Sequence, residues 1–161
     1  MRVLRATVCF FAAYAVVTVL AGAVTLIYGA VNHTADADAR AGSMVLAPSF
    51  TATVPYHVVI MLVVATLFGM LYWRRPAGRR HEALALAVAW TGAAMLVDFV
   101  GFVLIENPWS LTPHELYVDY QPWITLLYAA MFVSAYGSRT ILPRVWRRST
   151  SSNALATSSS E

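Results

Sequence analysis

One carboxylate stands alone in an apolar stretch of this sequence. Asp98 is the only charged residue between Ala83 and Ile105. In a membrane-spanning helix such a group costs about 2.5–3.5 kcal/mol, so it usually faces neighbouring helices and finds a partner there. The chain contains no Lys, and no Arg lies at the same depth in another apolar stretch, which excludes an ion pair. We therefore expect Asp98 to be protonated at neutral pH, or to share a proton with His57.

Neutral polar residues are the remaining candidates for contact with Asp98. Counted from the outer ends of their helices, Thr25 and Tyr128 are nearly level with it, and Tyr28, His57 and Thr125 lie about one turn farther out. Glu106 lies about two turns beyond Asp98 and about 80° round the same helix. The predicted ligand- or proton-binding residues are Asp98, His57, Tyr128, Thr25, Tyr28 and Glu106.

The sequence lacks the residue patterns that other kinds of functional site require. The sequence has no Ser-His-Asp arrangement, glycine-rich phosphate loop or HExxH pattern, so we assign no catalytic residue. Cys9 is the single cysteine, which excludes an internal disulfide and a thiolate zinc site within one chain. His33, His57 and His114 fall on one side of the predicted bundle, but none has a histidine partner at helical i, i+4 spacing. We predict no metal and no cofactor.

The composition places these residues in a membrane. Hydrophobic residues make up 59% of the 161 residues and charged residues only 12%, about half the charge of an ordinary soluble domain. This argues against a soluble enzyme, a disordered protein and a nucleic-acid binder, and it makes the lipid bilayer the expected partner. A spanning helix needs about 20 apolar residues. Four stretches satisfy or nearly satisfy this length: residues 7–31, 54–73, 83–105 and 122–142.

The arginines predict how these stretches are oriented. All eleven basic residues are Arg, and ten of them lie in residues 1–6, in the 74–82 connection or after residue 137. Arg40 is the only basic residue in the other two connections. Because arginine-rich loops stay in the cytoplasm, both termini are predicted to be cytoplasmic, which requires four crossings. Arg in place of Lys, with abundant Ala, is typical of a GC-rich genome and favours a bacterial source. We therefore expect a multi-pass protein of the bacterial cytoplasmic membrane.

The predicted fold is an all-α integral membrane protein, a four-helix transmembrane bundle with N-in/C-in topology. Small residues at every fourth position let helix backbones approach closely. We expect two such ridges to face partner helices. The first contains Ala21, Thr25 and Gly29, and the second contains Ala85, Ala89, Ala93 and Gly101.

The connection between spans 3 and 4 has the pattern of a short interfacial helix. Thr112 and Glu115 form a capping box, with Pro113 at the first helical position. We expect about two turns, lying on the outer surface and covering the bundle. The residues spaced to share one face are Leu116, Tyr117 and Tyr120.

The remaining segments contain few local sequence patterns that predict structure. Residues 1–6 form a cytoplasmic N-terminus, and residues 7–142 form the transmembrane domain. Residues 143–161 are basic and then rich in Ser and Thr, which predicts a disordered cytoplasmic tail. The outer connection 32–53 shows no comparable local order.

Three functions are compatible with these residues. The first is a non-enzymatic membrane protein that binds a proton or a small amphipathic or cationic ligand in an outward-facing pocket around Asp98. Transport by this route would need a homo-oligomer or a conformational cycle. The second is an accessory or scaffolding subunit of a larger membrane complex, with a structural Asp98. The third is a membrane enzyme that uses Asp98, His57 and Glu106 as acid and base on a lipid-like substrate.

Overall fold

The computed structural model describes residues 3–74 and 80–158, and every regular element within these ranges is helical. The α-helices are α1 (Val3–Asn32), α2 (Ala35–Asp38), α3 (Pro48–Trp73), α4 (Arg80–Asp98) and α5 (Trp123–Ser158). Two π-helices (Phe99–Leu104 and Glu115–Asp119) and a 3-10 turn (Met44–Leu46) complete them. Arg2, Arg75 and Arg79 of the predicted inner segments, and residues 159–161 of the predicted tail, lie outside the described ranges.

Three helices are long and apolar enough to cross a membrane. They are Val3–Asn32, Pro48–Trp73 and His81–Leu104, the last of which includes the first π-helix. These helices support the prediction of a membrane protein. α5 is not among the three, so the fourth crossing stays a prediction.

The long helices pack side by side as a bundle. α3 lies between α1 and α5, and α5 also packs along α4. Their common core contains side chains with no exposed surface: Ala13, Ala65, Leu86, Ala87, Met131 and Ala135. We call the end formed by residues 33–47 and 105–122 the loop end. The opposite end, where α1 begins and α3 ends, is the termini end.

One predicted ridge is confirmed and the other is wrong. Thr25 is buried against α3, and a Cβ added to Gly29 would lie 3.5 Å from the Cβ of Ser49. On α4, by contrast, Ala85 and Ala89 are exposed, and nothing approaches Gly101 within 4 Å. Alanine occurs at alternate positions from Ala83 to Ala89, so two faces of α4 offered the same spacing. The packed face consists of Ala83, Leu86, Ala87, Trp90 and Ala94.

A small-residue contact joins α3 and α5, and it was not predicted from the sequence. Gly69 has no room for a side chain, because an added Cβ would overlap the hydroxymethyl group of Ser138. Ser138 accepts a hydrogen bond from Trp73 Nε1 at 3.2 Å, and Ser134 Oγ donates to the Leu62 carbonyl at 3.1 Å. The two serines are four residues apart, a spacing that brings transmembrane helices together.

The 32–53 connection is more ordered than predicted. The carboxylate of Asp38 accepts hydrogen bonds from the Ser49 amide at 3.0 Å and from the Thr34 hydroxyl at 2.6 Å. The Ser49 amide is one of the donors that a helix start leaves free, so Asp38 caps α3, and α3 begins at Pro48 instead of residue 54. Asp38 and Ser49 are 11 residues apart in sequence, so the local patterns that identify helix caps do not predict this one.

The short helix between α4 and α5 forms with its predicted cap. The Thr112 amide donates to Glu115 Oε2 at 2.7 Å, and the Glu115 amide donates to Thr112 Oγ1 at 3.2 Å. Its backbone is π-helical from Glu115 to Asp119. Leu116 and Tyr120 are buried in a loop-end cluster, which we call the cap cluster. Its buried members are Val45, Val54, Leu111, Leu116, Tyr120 and Ile124.

The helix ends differ from the predicted spans. α4 gives way to π-helix after Asp98, where a regular helix to residue 105 was expected. α5 continues to Ser158, across most of the segment for which we predicted disorder. Residues 144–158 contain no Gly or Pro to end the helix.

Candidate functional site

Asp98 joins three helices at the last residue of α4. Tyr14 of α1 donates a hydrogen bond to its Oδ1, and Tyr128 of α5 donates to its Oδ2 at 3.0 Å. The carboxylate forms no ion pair with any described residue. Two phenol hydroxyls therefore supply its polar environment, without a compensating positive charge.

The backbone changes from α-helix to π-helix directly after Asp98. Ile105 N–H donates to the Val100 carbonyl at 3.1 Å, the five-residue step that defines a π-helix. Asn107 Nδ2 donates to the Gly101 carbonyl at 2.8 Å, and Leu111 N–H donates to that of Phe102 at 2.7 Å. These groups satisfy carbonyls that the wider helix leaves free. π-Helices are often found at functional sites.

The structure brings Tyr128 to Asp98, as the depth ranking predicted, but it also brings Tyr14, which the ranking missed. Tyr14 lies about five turns before the end of α1. The ranking assumed that all helices end level at the loop end, whereas α1 meets α4 much farther from its own end. The sequence offered one clue, because Tyr14 lies seven residues before Ala21 and so shares the face of the ridge formed by Ala21, Thr25 and Gly29.

Thr25 and His57 belong to a separate polar cluster between α1 and α3. Thr25 Oγ1 lies 2.9 Å from Thr53 Oγ1 and 3.2 Å from His57 Nε2. The three side chains are buried, and the His57 ring contacts Phe50 with ring centroids 4.9 Å apart. The predicted contacts of Thr25 and His57 with Asp98 are therefore wrong. A proton shared directly between Asp98 and His57 has no geometric basis.

The other candidates lie away from Asp98. Glu106 is exposed beyond the first π-helix, and Thr125 donates to the Gln121 side chain at 2.7 Å. Tyr28 is partly buried, and its carbonyl accepts a hydrogen bond from Asn32. Asp98, His57 and Glu106, all within the described part of the chain, make no contact with one another.

Tyr120 was not ranked as a partner of Asp98, but it lies near the carboxylate. Its side chain is buried in the cap cluster, and its hydroxyl is a buried group without a hydrogen-bond partner in the described part of the chain. Burial and then the negative charge of Asp98 raise the pKa of Tyr120. An ionised Asp98 would therefore disfavour ionisation of the Tyr120 phenol.

Two surface carboxylates stabilise the loop end. The Thr112 amide, and then the Thr112 hydroxyl, lower the pKa of Glu115 below its usual range. Hydrogen bonds from Thr34 and from the Ser49 amide lower the pKa of Asp38 in the same way. Both groups are used as helix caps. Within residues 3–74 and 80–158 no three His, Cys, Asp or Glu residues are arranged to hold a metal.

Comparison with protein-family models, with curated proteins and with solved structures found no match for this chain.

Proposed function

We propose that this protein is a small integral membrane protein that binds a proton or a small cation at Asp98, between Tyr14 and Tyr128. The observation that carries the proposal is a carboxylate held by two hydroxyls from two other helices, with no ion pair to a basic side chain in the described part of the chain. An isolated charge removed from water is costly, whereas a protonated or cation-bound carboxylate is not. The proton is the smallest ion that can balance this charge.

We further propose four crossings with both termini in the cytoplasm of a bacterium. The course of α5 supports the fourth crossing. Contacts with α3 run from Ile124, beside Val54 in the cap cluster, to Ser138, beside Trp73 near the termini end. The intervening part of α5 is about 20 Å long at 1.5 Å per residue and follows most of the bundle. The arginine distribution supports the orientation.

Infrared spectroscopy of the purified protein in lipid tests the protonation of Asp98. We expect a protonated carboxylic-acid C=O band at pH 7 that disappears in Asp98→Asn. The control variant is Asp36→Asn, which removes an exposed carboxylate at the loop end and is expected to leave the band unchanged. A carboxylate signal from Asp98 that is already fully ionised at pH 5, with no sensitivity to added cations, would refute the proposal.

A proton-uptake assay extends this test from protonation to function. Proteoliposomes given a pH step should bind or pass protons with a component that is lost in Asp98→Asn. This substitution keeps the shape of the side chain and its ability to hydrogen-bond, while it removes the titrating group. Passage across the membrane would also require a second copy or a conformational change, because four helices enclose little space.

A scaffolding role is the second candidate, and the same contacts favour it. Both carboxylate oxygens of Asp98 are hydrogen-bonded, so the group ties α4 to α1 and α5. In this case Asp98→Asn would keep expression, assembly with membrane partners and cell phenotype unchanged.

A further inference from the structure

A groove of about 290 Å³ lies between α4 and α5 near the termini end. Its lining residues are His81, Leu84, Phe132 and Tyr136. His81 lies in the first turn of α4, and Phe132 lies near the middle of the bundle-forming part of α5. The groove therefore runs from the end of the bundle towards its apolar middle.

The groove wall changes from polar to apolar along this direction. His81 provides ring nitrogens at the termini end, and Leu84 follows one turn later. On the opposite wall the rings of Phe132 and Tyr136 are stacked, with centroids 6.4 Å apart and planes within 9°. Leu84 and Tyr136 remain 49% and 48% exposed, so the groove is open to whatever surrounds the bundle. Around a membrane-spanning α4, that surrounding is lipid.

Two arginines lie at the same end of the bundle as His81. Arg139 follows Tyr136 by one turn, and its guanidinium carbon lies 5.8 Å from the centroid of the Trp73 ring. Its Nη1 is buried and has no hydrogen-bond partner within the described ranges. Arg80 directly precedes His81 in sequence. Glu82 is the nearest acid in sequence to His81, and it makes an interaction of its own.

We propose that this groove binds an anionic phospholipid from the surrounding bilayer. An acyl chain lies along Leu84 and Phe132, and the phosphate lies at the termini end, near His81 and the arginines. Charge complementarity identifies the lipid class, because Arg5, Arg74 and Arg80 lie at the termini ends of α1, α3 and α4. Arg139 lies beside Trp73 at the same end. Basic residues near a membrane surface attract anionic lipids. This proposal is independent of Asp98.

Lipid titration of the detergent-purified full chain tests it. Phosphatidylglycerol and phosphatidylcholine with the same acyl chains are compared by native mass spectrometry. We expect phosphatidylglycerol to bind at least about fivefold more tightly, the ratio that corresponds to about 1 kcal/mol per basic residue near the surface. Inorganic phosphate at millimolar concentration should not compete, because it lacks an acyl chain. Equal binding of the two lipids, or full competition by phosphate, would overturn the proposal.

Two substitutions assign the preference to this groove. Leu84→Trp fills the groove and should abolish the preference, whereas Leu96→Trp places the same ring on an exposed position about three turns farther along the helix and should retain it. His81→Gln supplies an independent test that keeps the wall intact and should reduce the preference severalfold. Retention of the full preference in both Leu84→Trp and His81→Gln would place the lipid elsewhere and contradict the assignment.

Discussion

Three tyrosines lie around Asp98, and only two of them donate a hydrogen bond to it. Tyr14 and Tyr128 each satisfy one carboxylate oxygen. Tyr120 is buried, and its hydroxyl has no hydrogen-bond partner among the residues that the structure describes. The same substitution, Tyr to Phe, therefore removes a different interaction at each position, and the three variants serve as controls for one another.

We expect Tyr14→Phe and Tyr128→Phe each to lower the free energy of unfolding by about 1–3 kcal/mol, because each removes a donor to the partly buried carboxylate of Asp98. Tyr120→Phe should leave the free energy of unfolding unchanged or raise it by up to about 1 kcal/mol, since it removes a buried hydroxyl that has no partner. Unfolding in mixed detergent micelles measures all three. Equal destabilisation by the three substitutions would show that the Tyr120 hydroxyl has a partner such as a buried water.

The residues around Asp98 could be predicted only in part. Tyr128 was found because Asp98 must face the bundle and α5 is a neighbour with a polar side chain at similar depth. Tyr14 was missed because the ranking depends on where α1 crosses α4, a tertiary relation that hydropathy does not contain. His57 was misplaced for the same reason, since its partner Thr25 belongs to the crossing of α1 with α3.

At the scale of the helix, the position of Asp98 predicts the packed face of α4 better than the alanine spacing does. The residues 4, 8 and 11 positions before Asp98 are Ala94, Trp90 and Ala87, and all three are buried. A helix places such positions on one face. The packed face of α4 was therefore predictable from the requirement that Asp98 face inward, whereas the abundance of alanine favoured the wrong ridge.

The α3–α5 contact gives a matched pair of glycine substitutions. Gly69→Ala should lower the free energy of unfolding by about 1–3 kcal/mol, because the added Cβ overlaps Ser138 and forces the helices apart. Gly92→Ala on α4 has nothing within 4 Å of the added Cβ. It should be neutral or stabilise by up to about 1 kcal/mol, the difference in helix propensity. Thermal unfolding in detergent compares them, and equal effects would show that α3 and α5 do not pack closely at Gly69.

The capping box of the short helix predicts a pH dependence. Hydrogen bonds from Thr112 favour the ionised form of Glu115 and lower its pKa. This stabilisation is present above the ordinary glutamate pKa of about 4.3 and is lost as the pH falls through the lower pKa of the folded protein. The NMR shift of the Thr112 amide in micelles should therefore titrate with a midpoint below about 4.3. Glu115→Gln should remove this titration, and a midpoint at or above the ordinary value would show that the capping box does not form.

At the scale of the whole molecule, hydropathy and charge contribute different information. Hydropathy identifies three crossing helices, which the structure supports. The fourth depends on α5, whose core-facing side contains serines and whose termini end carries Arg139, so its average hydropathy understates its fit to a membrane. The charge pattern predicts the fourth crossing, because an even number of crossings is needed to keep the first and last arginine clusters on one side.

Reporter fusions test this count directly. A reporter that fluoresces only in the cytoplasm should be active after residue 161 and inactive when inserted in the 32–53 connection. With three crossings, the C-terminal fusion would instead be dark, and a periplasmic reporter at the same position would be active.

The matched charge control replaces Arg144, Arg147 and Arg148 with Gln. If these arginines hold α5 in its orientation, part of the population should move the C-terminus outside, because arginine-rich flanks resist translocation. An unchanged C-terminal signal in that variant would show that packing of α5 against α3 and α4 is sufficient to set its orientation.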